Sequence, residues 1–171
     1  KAIEYFKLAL KGFQSLGDTL MANSVLLNLG GYAFEQGKYG EAIPLITQSI
    51  EYFEANGPIN ELARANYIWG GLLLEQGKIT ESEKALLKAR ALFDTLNATM
   101  RSTGCLIKLN RIALLRGDTA KALEGAHKAI ALSNSIGTVE QETRSLIFLY
   151  EIYKSRGDYQ KALQYREKYE L

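Results

Sequence analysis

Glu35-Gln36-Gly37-Lys38 returns unchanged as Glu75-Gln76-Gly77-Lys78, forty residues later. Arg116-Gly117-Asp118 returns over the same interval as Arg156-Gly157-Asp158. Downstream of these glycines stand Glu41-Ala42-Ile43, Lys121-Ala122-Leu123 and Lys161-Ala162-Leu163, and the chain opens on Lys1-Ala2-Ile3. Self-similarity at one fixed period marks a repeat architecture and decides the fold before any single residue does.

Between these phrases lies a finer series. Gly17, Gly37, Gly57, Gly77, Asn97, Gly117, Gly137 and Gly157 stand twenty residues apart. Gly and Asn accept the left-handed backbone that ends a helix, and the intervening segments are too long for strands. The series predicts nine helices over about 1–16, 18–36, 39–56, 59–76, 80–96, 99–116, 118–136, 139–156 and 158–171, each near 27 Å long. Asp18, Asp118 and Asp158 follow a stop glycine and are placed to cap the next helix. Thr80 with Glu83, and Thr138 with Gln141, have capping-box spacing. Pro58 suits a helix entrance, and Pro44 is expected to bend its helix slightly.

Links this short force neighbouring helices into antiparallel hairpins. Apolar residues recur three and four apart in the first helix of each pair, as in Leu26, Leu29 and Ala33 or Leu106, Leu109 and Ala113. The second helices present small residues, as in Ala42 and Ser49, Ala85 and Ala89, or Ala122, Ala126 and Ala129. Each hairpin leaves apolar surface that must be buried on its neighbour. Gly30-Gly31 and Gly70-Gly71 sit mid-helix without phosphate-loop spacing, so they read as sites of close helix approach and a shallow surface.

Bulk properties are those of an ordinary globular chain: 171 residues, 47% apolar, 23% charged and net charge +2. Near-neutrality argues against nucleic acid and anionic membrane as partners, and no apolar run reaches the roughly 18 residues of a membrane span. A single cysteine, Cys105, leaves no internal disulfide framework and fits a reducing, cytoplasmic compartment. His127, the one histidine, has no companion at metal-ligand spacing, so no metal or cofactor is expected. Cys105 reads as a core filler beside Leu106. No carboxylate pair is distinguished as an acid or base, and the Arg-Gly-Asp tripeptides are a helix end, a stop and a cap. The chain is expected to be non-catalytic.

Leu29-Gly30, Tyr32, Gly37-Lys38-Tyr39, Ala42 and Ser49-Ile50, in that order, resemble the tetratricopeptide repeat, and Gly157-Asp158-Tyr159-Gln160-Lys161-Ala162-Leu163 resembles its turn more closely still. The forty-residue spacing is similar to the variant of kinesin light chains, Pins-type adaptors and bacterial regulators. Asn110 and Tyr150 depart from the small residue seen as Gly30 and Gly70, and Ser82 departs from the usual Ala.

The resemblance implies an all-α, right-handed solenoid of about four and a half repeats forming a single array over 1–171. Within it, 1–17 is the second helix of a cut repeat, 18–57, 58–97 and 98–137 are full repeats, and 138–171 is a shortened last one. The chain is therefore expected to be a piece of a longer protein. Ile3, Phe6 and Leu10 would then be exposed, predicting end-to-end self-association. Tyr5, Tyr39, Tyr52 and Tyr159 are expected where the family packs its hairpins, and Tyr150 and Tyr153 between repeats.

In this family the first helices line a concave groove that binds peptides or helices. The matching stripe is Ser24, Asn28, Gly31 and Glu35; Arg64, Tyr67, Gly71 and Glu75; Lys108, Arg111 and Leu115; Arg144, Phe148 and Glu151. Arg64, Lys108, Arg111 and Arg144 suggest a protein partner with an acidic segment, with Tyr67 as an aromatic contact. The carboxylate clamp of the co-chaperone type is not reproduced: Leu27, Gly31, Tyr67, Gly71, Ile107 and Arg111 occupy its places, and Arg111 alone matches. Groove residues change character from repeat to repeat, which argues against a nucleic-acid code. The array is similar to the regulatory part of bacterial signalling proteins that carry an output domain. A groove that senses a small molecule or short signalling peptide is the alternative, requiring an enclosed pocket of roughly 300–1,000 Å³.

Overall fold

The computed structural model describes residues 2–170. Nine α-helices and no strand are found among them: α1 Ala2–Ser15, α2 Thr19–Glu35, α3 Tyr39–Asn56, α4 Ile59–Glu75, α5 Ile79–Thr95, α6 Thr99–Leu115, α7 Thr119–Ile136, α8 Val139–Ser155 and α9 Tyr159–Glu170. The expected ends at Lys1 and Leu171, and the side chain of Ala2, lie outside the described residues.

The turn series holds with one exception. Six of its glycines have φ between 66° and 81°, and Asn97 has φ 53°. Gly57 does not: its φ of −91° and ψ of 162° are extended. The cause is Pro58, whose ring forbids the preceding residue a helical or left-handed turn and drives it to the β region. Pro58 itself, at φ −65° and ψ 142°, stands immediately before α4.

Three of the five expected caps form. The Asp18 and Asp118 carboxylates accept from the Met21 and Lys121 amides at 3.0 Å, and Asp158 accepts from Lys161 at 3.2 Å. Both capping boxes fail. α5 starts at Ile79, one residue early, so Thr80 lies inside the helix it was expected to cap. Thr138 does precede α8, but its hydroxyl donates back to the Ser133 carbonyl at 3.4 Å, while Gln141 is buried with Oε1 unpartnered. α3 runs through Pro44 without a break.

The chain divides into two compact units, Lys1–Leu92 and Phe93–Leu171, with the boundary inside α5. In the first, each of α1 to α3 packs on the next helix and α2 also touches α4; in the second, α6 to α9 pack in the same sequence and α6 also touches α8. The first core is built around Leu27, Ile46, Phe53 and Leu72, all essentially inaccessible to solvent. Burial of such side chains stabilises by about 1.5–3 kcal/mol each. The second core includes Ala113, Ala122 and Ile152. Cys105 is fully buried.

Close approach within hairpins explains the mid-helix glycines. A Cβ on Gly30 would lie 2.7 Å from Ile46 Cγ1, and one on Gly70 would lie 2.7 Å from Leu86 Cγ. Position 110 breaks this rule, since it carries a buried Asn. The facing helix compensates: a Cβ on Gly125 would collide with Asn110 Oδ1, so the position without a side chain has moved from α6 to α7. Ser82 fits its hairpin by donating to the Gly70 carbonyl at 2.7 Å.

The aromatic expectations are met in part. Tyr39 leans on Phe34 at 6.2 Å, and Tyr52 packs on Phe53 at 5.7 Å. Tyr5 and Tyr159 are instead 71% and 70% exposed. Tyr159 has the same place in its turn as Tyr39, but Lys154 replaces the ring of Phe34 beneath it. Tyr150 and Tyr153 pack within the α8–α9 hairpin rather than between repeats, on Tyr169 at 6.0 Å and on Tyr165 at 5.5 Å. At the amino end, Ile3, Phe6 and Leu10 are half-buried; Tyr5 and Leu8 are the exposed apolar residues of α1.

Candidate partner-binding surface

In the first unit the expected stripe lies on α2 and α4. Its centre is Arg64, whose Nη1 donates to Glu61 Oε2 at 2.6 Å and whose Nη2 donates to Asn28 Oδ1 at 2.7 Å. Helical geometry sets Glu61 one turn before Arg64, and helix packing brings Asn28 across from α2. The side chains of Arg64 and Glu61 are 29% and 14% exposed, so the pair is partly shielded from water and its charge-assisted bonds are stronger than those of an open surface pair. Arg64 is thus held in place and largely neutralised.

Glu61 was absent from the sequence-derived stripe. Its signal was a carboxylate three residues before an arginine on a helix, a pattern that surface helices also show without consequence. Around this centre, Ser24, Gly31 and Tyr67 are half-buried and Glu35 and Glu75 are exposed. Both glutamates are the last residue of their helices, where the helix dipole disfavours negative charge by about 0.3–1 kcal/mol. Gly71 is buried in the interior, whereas Gly31 is half-buried with room for a methyl group, whose Cβ would meet Ile68 Cδ1 at an ordinary 3.5 Å.

In the second unit the stripe lies on α6 and α8. Lys108 is half-buried and Arg111 and Leu115 are exposed. Arg144 Nη2 lies 2.7 Å from Glu140 Oε1, a solvated ion pair of the kind worth at most about 1 kcal/mol. Phe148 packs on the core of Ala113, Ala122 and Ile152, and Glu151 is exposed. Twelve Lys and Arg against nine Asp and Glu make this unit the carrier of the chain's positive charge. Among the described residues no group of three or more His, Cys, Asp or Glu could hold a metal ion, and no helix is long and apolar enough to cross a membrane. His127 is exposed on α7, with its ring against Tyr165.

The succession of paired helices is shared with solved structures. BtubC (BKLC) from P. vanneervenii superposes with a TM-score of 0.75 over 88% of this chain, at 17% identity. The fold is a tetratricopeptide-type helical repeat. A putative kinesin light chain of P. anserina with nearly identical TPR-like repeats matches 98% of the chain and 84% of its own, with a TM-score of 0.69 at 16% identity. MamA matches 96% of the chain and 84% of its own, with a TM-score of 0.61 at 20% identity. The chain spans 62% of the length of BtubC. No protein-family model and no curated protein matches the sequence. The all-α solenoid class is thereby established.

Proposed function

We propose that this chain is a non-catalytic protein-interaction module that holds a peptide or helix of a partner on the faces of its first helices, as the regulatory region of a larger signalling or transcription-regulatory protein. The observation that carries the reading is Arg64, fixed between Asn28 and Glu61 beside the half-buried Tyr67. A donor fork already held in place loses little rotamer entropy when a ligand arrives, and preorganisation of this kind raises affinity. Arg64 is balanced by Glu61, so attraction for an acidic segment falls to Lys108, Arg111 and Arg144 of the second unit. A repeat fold supports the reading because its stacked hairpins present extended surfaces. No stripe residue lines either of two cavities found on the first unit, so the small-molecule alternative gains no support from them.

The test compares immobilised wild type with a Tyr67→Ala/Arg111→Glu variant in capture of proteins from extracts of the source organism. A protein retained by the wild type should be lost from the variant by about tenfold or more, with unchanged circular dichroism. Equal capture by both would sink the proposal.

A further inference from the structure

A second surface of the first unit faces the other way, among the second helices. α3 and α5 wall an open trough of about 430 Å³ whose floor comes from α4. The apolar lining is Trp69, the single tryptophan of the chain, and Leu73 on α4, flanked by Ile50 of α3 and Ala85 of α5, with Thr47 and the buried Asn66 beside them. The walls differ in charge. Glu51 and Glu54 line the α3 side, and Lys84 and Lys88 line the α5 side, with Glu81 at its beginning. One pair crosses between them, Lys88 Nζ donating to Glu54 Oε1 at 2.5 Å, with side chains 44% and 48% exposed. So solvated a pair is weak and gives way easily to a competing charge.

The repeat supplies its own controls. One period earlier, a cavity of about 490 Å³ lies between α1 and α3, but Leu29 takes the place of Trp69, and Lys11 and Gln14 take the places of Glu51 and Glu54. Two periods later, in the second unit, Tyr165 stands where Ala85 stands and Tyr153 where Leu73 stands. Those two rings stack at 5.5 Å, and His127, in the place of Thr47, packs on Tyr165 at 6.1 Å. There the chain covers the corresponding surface with its own aromatic rings. Between α3 and α5 a methyl group replaces the tyrosine, and the half-buried Trp69 lines the open trough.

We propose that the α3–α5 trough docks an amphipathic helix of a partner protein, its apolar stripe on Trp69 and Ile50, Lys or Arg on the edge beside Glu51 and Glu54, and Asp or Glu on the edge beside Lys84 and Lys88. Apolar burial supplies affinity, and the opposed walls supply direction. Reversing the helix in the trough would set like charges against each other, and like-charge juxtaposition suppresses the wrong orientation. The site is separate from the stripe on the first helices, so it stands or falls independently of that reading.

Trp69 is the reporter. The full chain is titrated with a synthetic helical peptide about four turns long that carries a leucine stripe, lysines on one edge and glutamates on the other. Tryptophan emission should shift to the blue, and Tyr67→Ala/Arg111→Glu should leave the titration unchanged. Ala85→Tyr, which imports the ring already accommodated at Tyr165, should abolish the shift. Glu51→Lys/Glu54→Lys should weaken binding about tenfold and transfer preference to a peptide with glutamates on both edges. An unresponsive Trp69, or a charge-reversed variant that binds both peptides as the wild type does, would overturn the proposal. A shift with an apolar dye but none with peptide would assign the trough to small molecules and overturn it equally.

Discussion

Gly30 and Gly31 are neighbours in one helix, and alanine should act on them with opposite signs. In a helix interior Gly→Ala is worth about 1 kcal/mol of added stability. At Gly31 nothing opposes that gain, because the new methyl meets Ile68 Cδ1 at 3.5 Å. At Gly30 it would lie 2.7 Å from Ile46 Cγ1, 3.2 Å from Leu45 Cβ and 3.3 Å from the Ile46 amide nitrogen. These atoms are close to or part of the α3 backbone, and Ile46 is fully buried, so relief requires the helices to move apart. Overpacking of this kind costs about 1–3 kcal/mol, leaving Gly30→Ala about 1 kcal/mol less stable than wild type. The two variants should thus differ by about 2 kcal/mol, or about 4–8 °C in Tm for a chain of this size. Urea and thermal unfolding followed by far-ultraviolet circular dichroism would measure the order: Gly31→Ala above wild type, Gly30→Ala below. If Gly30→Ala proved as stable as wild type, the close approach of α2 and α3 would be wrong.

The displaced small residue makes a paired prediction. Gly125→Ala should destabilise by about 1–3 kcal/mol through collision with the Asn110 carboxamide, and adding Asn110→Gly should recover most of the loss; additive effects in a double-mutant cycle would contradict the swap. Burial, and secondarily the neighbouring Tyr153, raises the pKa of the Tyr165 phenol above 10.0. The folded state therefore holds this proton more tightly than the unfolded state. Its contribution is fully present below pH 10.0, is lost as pH rises through the folded value, and should vanish from alkaline melting curves in Tyr165→Phe. We also propose that the exposed Tyr5 and Leu8 of α1 promote self-association of the chain. Light scattering at rising concentration should show it, and Tyr5→Lys/Leu8→Lys should reduce it; a wild type that stayed monomeric throughout would remove the basis for the claim.

Local signals were read well because they act over a few residues. Asp18, Asp118 and Asp158 cap as their position after a glycine implies, and helix ends fall within a residue or two of the stops. Misreadings arose where a neighbour intervened. Gly57 is governed by Pro58, Thr138 is drawn back to the end of α7, and Tyr159 lacks the ring that supports Tyr39. The candidate surface was legible as a set of positions on the first helices. Its central contact was not, since Arg64 and Asn28 stand on different helices and Glu61 gave a signal shared by many solvated pairs.

The amino-acid sequence by itself determined the forty-residue period and the alternation of helices and turns, because both follow from backbone freedom and spacing along one chain. Tertiary structure alone decided which side chains share a space. Asn110 is tolerated because Gly125 faces it, Tyr153 and Tyr165 cover one surface between second helices, and Ala85 leaves the corresponding surface over Trp69 open. Packing is set by the summed volume of two facing helices, and that sum does not exist until the hairpin has closed.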